Sequence, residues 1–479
     1  MISKKASTQS AVLKQIAVFI TTGLVLCAST FAADAQKPNI VFVLADDLGY
    51  GDLACYGHPY ARTPALDQLA REGTMFKQFH VTGVTCCPSR TGFMTSKFPA
   101  TYHAYPAGAG FGDRVTVTEL LKQQGYRVGH FGKWHIGTNH TAGTYGIDTV
   151  ISDGDEDAPK RRDDPRGRDA HIYDDAIKFM KSNKDGPFYM NVWSHMTHFP
   201  VDPPKAYADK FKELTVKESD FADSMHEKFE QLKKADGKID EHVRNYLGEV
   251  LALDDSIARL LKAIDELGLR DNTIVVFSSD QGAAPVRLPP EAGGGKSAKN
   301  KKRTAGDKAE LRLNMMGYSG GFRGGKHNMY EGGVRVPFII RWPGHVPAGR
   351  VEEKSNVSAI DWLPTLCHIA GAKLPPIDFD GEDVSDIWLG KSRDRTKPLY
   401  WKTSNPRSDV GILDGQWKLI SPNGKRGEVE LFDLSKDSKE SRNLASQRPD
   451  LVKTLTAKVQ AWNATLPKDY LKFDTKDDK

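Results

Sequence analysis

The sequence predicts an α/β fold: a large mixed, mainly parallel sheet flanked by helices, then a small C-terminal antiparallel sheet plus a helix. Two patterns predict it. Five short apolar runs are too continuous to be half-exposed strands, so they read as strands covered on both faces, and helical periodicity lies between them. Near Lys391 the pattern changes to short strands punctuated by Asp-Gly and Asn-Gly turns.

In chain order, residues 38–45 form an almost wholly apolar run that stops at Asp46-Asp47 and reads as a central strand. Behind Thr63-Pro64, Leu66, Leu69 and Ala70 recur at helical spacing as far as Gly73. Residues 116–124 read as a short helix, 126–131 as the second strand and 188–193 as the third. Residues 241–268 form a long amphipathic helix, with an apolar stripe running from Val243 through Leu247 and Val250 to Ile264. Residues 273–278 and 336–341 complete the five strands. Further on, 398–401, 410–413, 416–420 and 429–432 are short strands with hairpin signals at Asp414-Gly415 and Asn423-Gly424, and a helix covers 449–462. The expected organisation is a leader over 1–35, a large α/β domain over 36–390 and a small α+β unit over 391–479. Two segments fit no element. Residues 153–169 are densely charged, and 285–313 carry Gly293-Gly294-Gly295 followed by a basic run over 296–308. A loop of that length is functional or mobile; its lysines either guide a polyanionic glycan or form a solvated surface.

The chain has 479 residues, 39 % hydrophobic and 27 % charged, enough for one large core and a smaller unit. Lys4, Lys5 and Lys14 precede a mostly apolar stretch that ends at the small-x-small site Ala33-Asp34-Ala35, the pattern of a cleaved secretory signal. The expected location is secreted or periplasmic, with no stable membrane span, because no other stretch is apolar enough to cross a bilayer. Cleavage removes three lysines and Asp34, so the formal charge falls from +5 to +3. That mild value argues against nucleic acid as a partner. Four cysteines remain, Cys55, Cys86, Cys87 and Cys367, too few for a disulfide scaffold in a chain this long.

Chemistry concentrates where the predicted strands end. The first ends in Asp46-Asp47, the second runs into Lys133-Trp134-His135, the third into His195-Met196-Thr197-His198, and the fourth into Asp280-Gln281. In an open α/β sheet, ligands bind outside the carboxyl ends of the strands. Asp46, Asp47, Asp280 and the amide oxygen of Gln281 are hard oxygen ligands, suited to Ca²⁺ or Mg²⁺ and not to zinc. Three carboxylates that met without a cation would repel one another and rise in pKa. Between the first and second strands lies Cys86-Cys87-Pro88-Ser89-Arg90, a thiol, a helix-starting proline and an anion clamp within five residues.

Cys86-x-Pro88-Ser89-Arg90, continued by Met94-Thr95, resembles the signature of the type I sulfatases, the formylglycine enzymes of the alkaline phosphatase superfamily. Further matches are Leu44-Ala45-Asp46-Asp47-Leu48-Gly49, Gly132-Lys133-Trp134-His135-Ile136-Gly137, Thr197-His198-Phe199-Pro200, Ser279-Asp280-Gln281-Gly282, Gly325-Lys326 with Tyr330-Glu331-Gly332-Gly333-Val334-Arg335-Val336-Pro337, and a C-terminal unit around Glu430–Asp433 and Asn443-Leu444-Ala445. The resemblance implies that a maturation enzyme oxidises Cys86 to Cα-formylglycine, whose hydrate is the nucleophile. It also implies that Asp46, Asp47, Asp280, Gln281 and residue 86 hold Ca²⁺, in preference to Mg²⁺. Gln281 stands where the family more often has Asn. By the same resemblance Lys133, His135, Lys326 and Arg90 hold the sulfate and nucleophile, Asp280 is the first base, His198 or Lys326 protonates the leaving oxygen, and His135 is the base in the second half-reaction. His195 reads as a structural histidine. The expected activity is hydrolysis of sulfate monoesters, of a sulfated carbohydrate and also of aryl sulfates. The alternatives are a phosphodiesterase or phosphonate monoester hydrolase of the same superfamily, and a non-catalytic binder of sulfated glycans.

Overall fold

The apolar run at the start of the described chain becomes the centre of an eight-stranded sheet. In this computed structural model the described residues are 37–103, 110–152, 164–286, 288, 309–402, 409–422, 427–468 and 470. The leader, the basic 296–308 run, most of the charged 153–169 segment and the Asn423-Gly424 turn lie outside them. The strands are β1 (Asn39–Ala45), β2 (Thr74–Phe76), β3 (Phe79–His80), β4 (Arg127–Gly132), β5 (Thr149–Ile151), β6 (Phe188–Trp193), β7 (Thr273–Ser279), β8 (Phe338–Arg341), β9 (Arg350–Glu352), β10 (Val357–Ser358), β11 (Leu399–Lys402), β12 (Val410–Asp414), β13 (Trp417–Ser421) and β14 (Glu430–Asp433).

The large sheet has the order β5-β4-β6-β1-β7-β8-β2-β9. β5, β4, β6, β1 and β7 are all parallel, and β8 runs antiparallel to both β7 and β2. Alternate residues of β1 serve two different cores. Val41, Val43 and Ala45 join the long Ile239–Glu266 helix on one face. Ile40, Phe42 and Leu44 join Phe93, Leu120, Leu121 and Trp362 on the other. This is why β1 reads as continuously apolar rather than alternating.

The Pro64–Glu72, Val117–Gln123 and Pro449–Ala464 helices fall where the spacing predicts them. Thr116 and Glu119 form a capping box that fixes the start of the second. Ala170–Ser182, His226–Ala235 and Trp362–Ala370 are further helices that the pattern did not single out. β11 to β14 form an antiparallel sheet in chain order. Val410, Ile412, Leu419 and Leu431 of that sheet pack on Leu455 and Val459 of the last helix. Its β12–β13 hairpin closes at Asp414 and Trp417, with Gly415 at φ 59° as the first turn residue. Cys55, Cys86, Cys87 and Cys367 are all free thiols. Among the described residues, no helix is long and apolar enough to cross a membrane.

Candidate active site

β4, β6, β1 and β7 are consecutive parallel neighbours, so the chain leaves all four at one edge of the sheet. β8 enters from that edge, since Phe338 pairs with Ser278 near the end of β7. The segment before β8, which carries Lys326, is therefore delivered to the same place. It is stitched there by hydrogen bonds from the Lys326 amide to the Ala283 carbonyl (2.9 Å) and from the Gly282 amide to the Gly333 carbonyl (3.0 Å). The approach is so close that a Cβ on Gly282 would lie 1.8 Å from the Gly332 carbonyl oxygen.

Cys86 opens the Cys86–Thr95 helix, two residues earlier than a helix started by Pro88 would begin. Proline is tolerated in a first turn because that amide has no intrahelical partner. The helix therefore aims its amino end and the Cys86 side chain at the strand ends. The Cys86 Sγ donates to Asp46 Oδ1 (3.2 Å), and the Gln281, Lys133 and Lys326 side chains approach it to 3.2, 3.6 and 3.7 Å. Around the thiol, Lys133 pairs with Asp46 (2.5 Å), Lys326 with Asp47 (2.8 Å) and Arg90 with Asp46 and Asp280 (3.2 and 2.8 Å). The His198 Nε2 lies 3.8 Å from Asp47 Oδ2. Its Nδ1 donates to the Phe199 carbonyl (2.8 Å), which directs Nε2 towards the carboxylates.

One ligand atom each from Asp46, Asp47, Cys86 and Asp280 lie within 4.8 Å of one another, all on buried residues. The Gln281 amide donates to Asp47 and to the thiol, while its Oε1 is buried without a hydrogen-bond partner. Three carboxylates around one point suit a hard cation, and Gln281 turns its amide nitrogen towards them. The added methylene of Gln281 does not carry its amide away from the cluster.

The charges are strongly coupled. Burial pushes the Asp46 carboxyl up, but Lys133, His198, Arg90 and Lys326 together hold it well below the ordinary range. Burial and the neighbouring Asp46 raise Asp280 to about 7. Burial would neutralise Lys133 and Lys326, yet Asp46 holds the first and Cys86 and Asp47 the second above the ordinary lysine value. Burial and Lys133 lower His198 to about 4. Burial and Asp46 push the Cys86 thiol up, so the metal-free site does not hold a thiolate nucleophile.

Two placements refine the expectations from sequence. Arg90 is fully buried and donates to Asp46, Asp280 and the Lys133 carbonyl (2.7 Å), so it braces the carboxylates. His135 is exposed at φ 54°. His195 turns to Asp169, as a structural histidine would. Two supporting residues received no role in the sequence reading. Ser279 accepts from the Leu48 amide (3.1 Å) and donates to the Gln281 carbonyl (2.9 Å), tying the ends of β1 and β7 together. Trp193 lies 5.2 Å under the Arg90 guanidinium. Ser279 was readable from its place beside Asp280, whereas the Trp193 contact carries no local signal.

A family model described as Sulfatase matches residues 38–372, more than two thirds of the chain. The chain belongs to the sulfatase family. A second model, described as N-sulphoglucosamine sulphohydrolase, C-terminal, matches residues 321–465 of this sulfatase. Arylsulfatase A of Homo sapiens is 29 % identical, over 90 % of this chain and 89 % of its own. N-acetylgalactosamine-6-O-sulfatase of Bacteroides thetaiotaomicron is 28 % identical, over 89 % of this chain and 93 % of its own. The solved structure of Ps i-CgsB in complex with k-i-k-neocarrahexaose shares the fold, with a TM-score of 0.73 and 23 % identity over 92 % of this chain and 96 % of that one. The sulfatase is a sulfuric ester hydrolase of alkaline phosphatase-like fold.

Proposed function

We propose that this sulfatase hydrolyses sulfate monoesters of a sulfated carbohydrate, and aryl sulfates as well, at the cluster around residue 86, after export as a secreted or periplasmic protein. The observation that carries the reading is the convergence of Asp46, Asp47, Asp280 and Cys86, with Lys133 and Lys326 beside them. Formylglycine made from Cys86 by a maturation enzyme supplies a hydrated aldehyde as nucleophile, and a Ca²⁺ held by Asp46, Asp47, Asp280, Gln281 and residue 86 supplies Lewis acidity.

The remaining chemistry belongs to the chain's own residues. Asp280, whose carboxylate lies in the cluster around residue 86, is the base that takes the nucleophile's proton. Lys133 and Lys326 neutralise the sulfate oxygens in a buried setting, where each charge counts for more than in water. The leaving oxygen needs a proton. Lys326, paired with Asp47 at 2.8 Å, acts as a fixed charge. The proton comes from His198, whose Nε2 is directed towards the carboxylate cluster by the hydrogen bond from Nδ1 to the Phe199 carbonyl. His135, exposed beside Lys133 in the chain, is the base of the second half-reaction.

The test is a panel assay on matured protein. It comprises N-acetylgalactosamine 6-sulfate, a set of sulfated polysaccharides, 4-nitrophenyl sulfate, and a phenylphosphonate ester as the rival substrate. Sulfate release from sugar and aryl esters at rates above phosphonate cleavage is the expected outcome. Faster phosphonate cleavage would assign the site to the superfamily's phosphonate chemistry. Binding of sulfated glycans without release would make the protein a lectin-like homologue.

A further inference from the structure

His198 sits on a loop that carries no regular structure of its own, yet its side chain must meet the Asp47 carboxylate that Lys326 also binds. One side of the loop is fixed by β1. The Ser194 amide donates to the Leu44 carbonyl (2.8 Å), the Thr197 amide to the Asp46 carbonyl (2.7 Å), and the Asp46 amide to the Met196 carbonyl (3.0 Å). The other side is fixed by two adjacent charged residues at the end of the charged segment. Asp169 Oδ2 accepts from the His195 and Met196 amides (2.7 and 2.8 Å), and Oδ1 faces His195 Nδ1 (3.3 Å). The Arg168 Nη2 donates to the His195 and His198 carbonyls (3.0 and 2.6 Å). Together they take both the amides and the carbonyls of the turn.

Both residues are committed to this task. Asp169 stands at the N-cap of the Ala170–Ser182 helix but makes no side-chain cap there. An aspartate in that place ordinarily satisfies its own helix's amides. Asp169 is 1 % exposed, and hydrogen bonds from His195 with the charge of Arg168 overcome burial to hold it at about 2. Arg168 is balanced from behind by Glu249, 1 % exposed on the long helix, at 2.8 Å. The Arg168 Nη2 serves both carbonyls while its Nε faces Glu249, a span that a single ammonium nitrogen cannot cover.

We propose that Arg168 and Asp169 are positioning residues that set the His198 imidazole against Asp47, and so determine how much proton transfer the leaving group receives. The proposal rests on the reading of His198 as the proton donor. In that step a hydroxyl oxygen of the residue-86 hydrate bonds to sulfur and its proton goes to Asp280, while the ester S–O bond breaks, its electron pair stays on the ester oxygen, and the Nε2 proton of His198 passes to that oxygen, so the alcohol leaves neutral.

The experiment measures kcat on aryl sulfates graded from 4-nitrophenyl to 4-methylphenyl for matured wild-type protein, His198→Ala, Asp169→Ala, Asp169→Asn and Arg168→Lys. A leaving group that is already acidic needs little help, so weaker proton donation costs more as leaving-group basicity rises, within the roughly 10²–10⁴-fold that such catalysis contributes. Asp169→Ala is expected to lose about tenfold or more on the 4-methylphenyl ester and clearly less on the 4-nitrophenyl ester. Asp169→Asn, which can still accept both amides on one oxygen, is expected to recover most of the difference, and Arg168→Lys to fall between. If Asp169→Ala does not fold, the slope for Arg168→Lys decides. Uniform losses across the series in the Asp169 and Arg168 variants, alongside a steepened slope in His198→Ala, overturn the proposal and leave the donor assignment standing. A flat response in His198→Ala itself overturns the donor assignment, and the proposal with it.

Discussion

Cys86 is a buried thiol among three carboxylates, and that setting makes it a poor thiolate. Cys86→Ser and Cys86→Ala should keep the fold, by circular dichroism and Tm, and lose turnover below detection, because serine offers a single hydroxyl and alanine none. Gln281 tests the metal separately from catalysis. Gln281 reaches the carboxylate cluster, so Gln281→Leu should lower Ca²⁺ affinity and shrink the Tm rise expected from Ca²⁺ in wild type. That rise corresponds to about 2.7 kcal/mol at a hundredfold excess over Kd. The same rise should depend on pH. Asp280 is raised to about 7 in the metal-free protein. Its proton therefore stabilises the apo fold at low pH, and that contribution is lost as pH rises through about 7. Ca²⁺ must displace that proton, so the Ca²⁺-induced shift in Tm should be larger at pH 8 than at pH 6, by about 1 kcal/mol. An equal shift at both would contradict the assignment of Asp280 as a ligand. At this scale most of the cluster was legible, because Asp46, Asp47, Lys133, His198 and Asp280 follow strands whose apolar runs are unmistakable. Lys326 was reached only through family resemblance, since the segment that carries it has no periodicity.

Among the elements, the contact that joins the Asp280-Gln281 turn to the Glu331–Val334 helix admits no side chain at Gly282. Gly282→Ala should force the two segments apart, costing about 1–3 kcal/mol by overpacking and lowering kcat, because Gln281 and the Lys326 segment move with them. Thermal unfolding and kcat on 4-nitrophenyl sulfate measure the two effects; unchanged values of both would show that the backbone gives way without consequence. Elements that escaped the sequence reading did so for identifiable reasons. The Ala170–Ser182 helix has Ile172, Tyr173, Ala176, Phe179 and Met180 at helical spacing, but it follows a segment dominated by charge. The Trp362–Ala370 helix is buried nearly all round and contains Pro364, so it shows neither a stripe nor a clean period. β2, β5 and β9 have three residues each, too short for any period to register. Arg168 and Asp169 looked like two more charges in a charged stretch, because their partners arrive from β6 and the long helix.

Over the whole molecule, the C-terminal sheet is bound to the catalytic part through buried charge as well as apolar packing. Lys418 of β13 pairs with Glu331 (2.8 Å) and Glu440 (3.0 Å), and His80 of β3 and Arg335 reach the other oxygen of Glu331 (3.1 and 3.3 Å). Glu331 opens the short helix behind the Lys326 segment, so the C-terminal sheet buttresses the candidate site from outside it. Removing one partner leaves the others buried and uncompensated, and Lys418→Met should cost about 3–5 kcal/mol, read as a fall in Tm, with the double variant Lys418→Met, Glu440→Gln recovering part of it. An unchanged Tm in the single variant would mean that the network contributes nothing to stability. That link was invisible in sequence: the two ends lie 87 residues apart and neither belongs to a motif beyond the family match.

On the proposed chemistry, residue 86 acts as an oxidised aldehyde and not as a thiol. Mass spectrometry of the peptide containing residue 86, taken from a preparation whose specific activity has been measured, tests it directly. Active protein should carry that peptide about 18 Da lighter than the cysteine form, in a fraction that tracks activity across preparations. Full sulfate-ester hydrolysis by protein whose residue 86 is still an unmodified cysteine would contradict it.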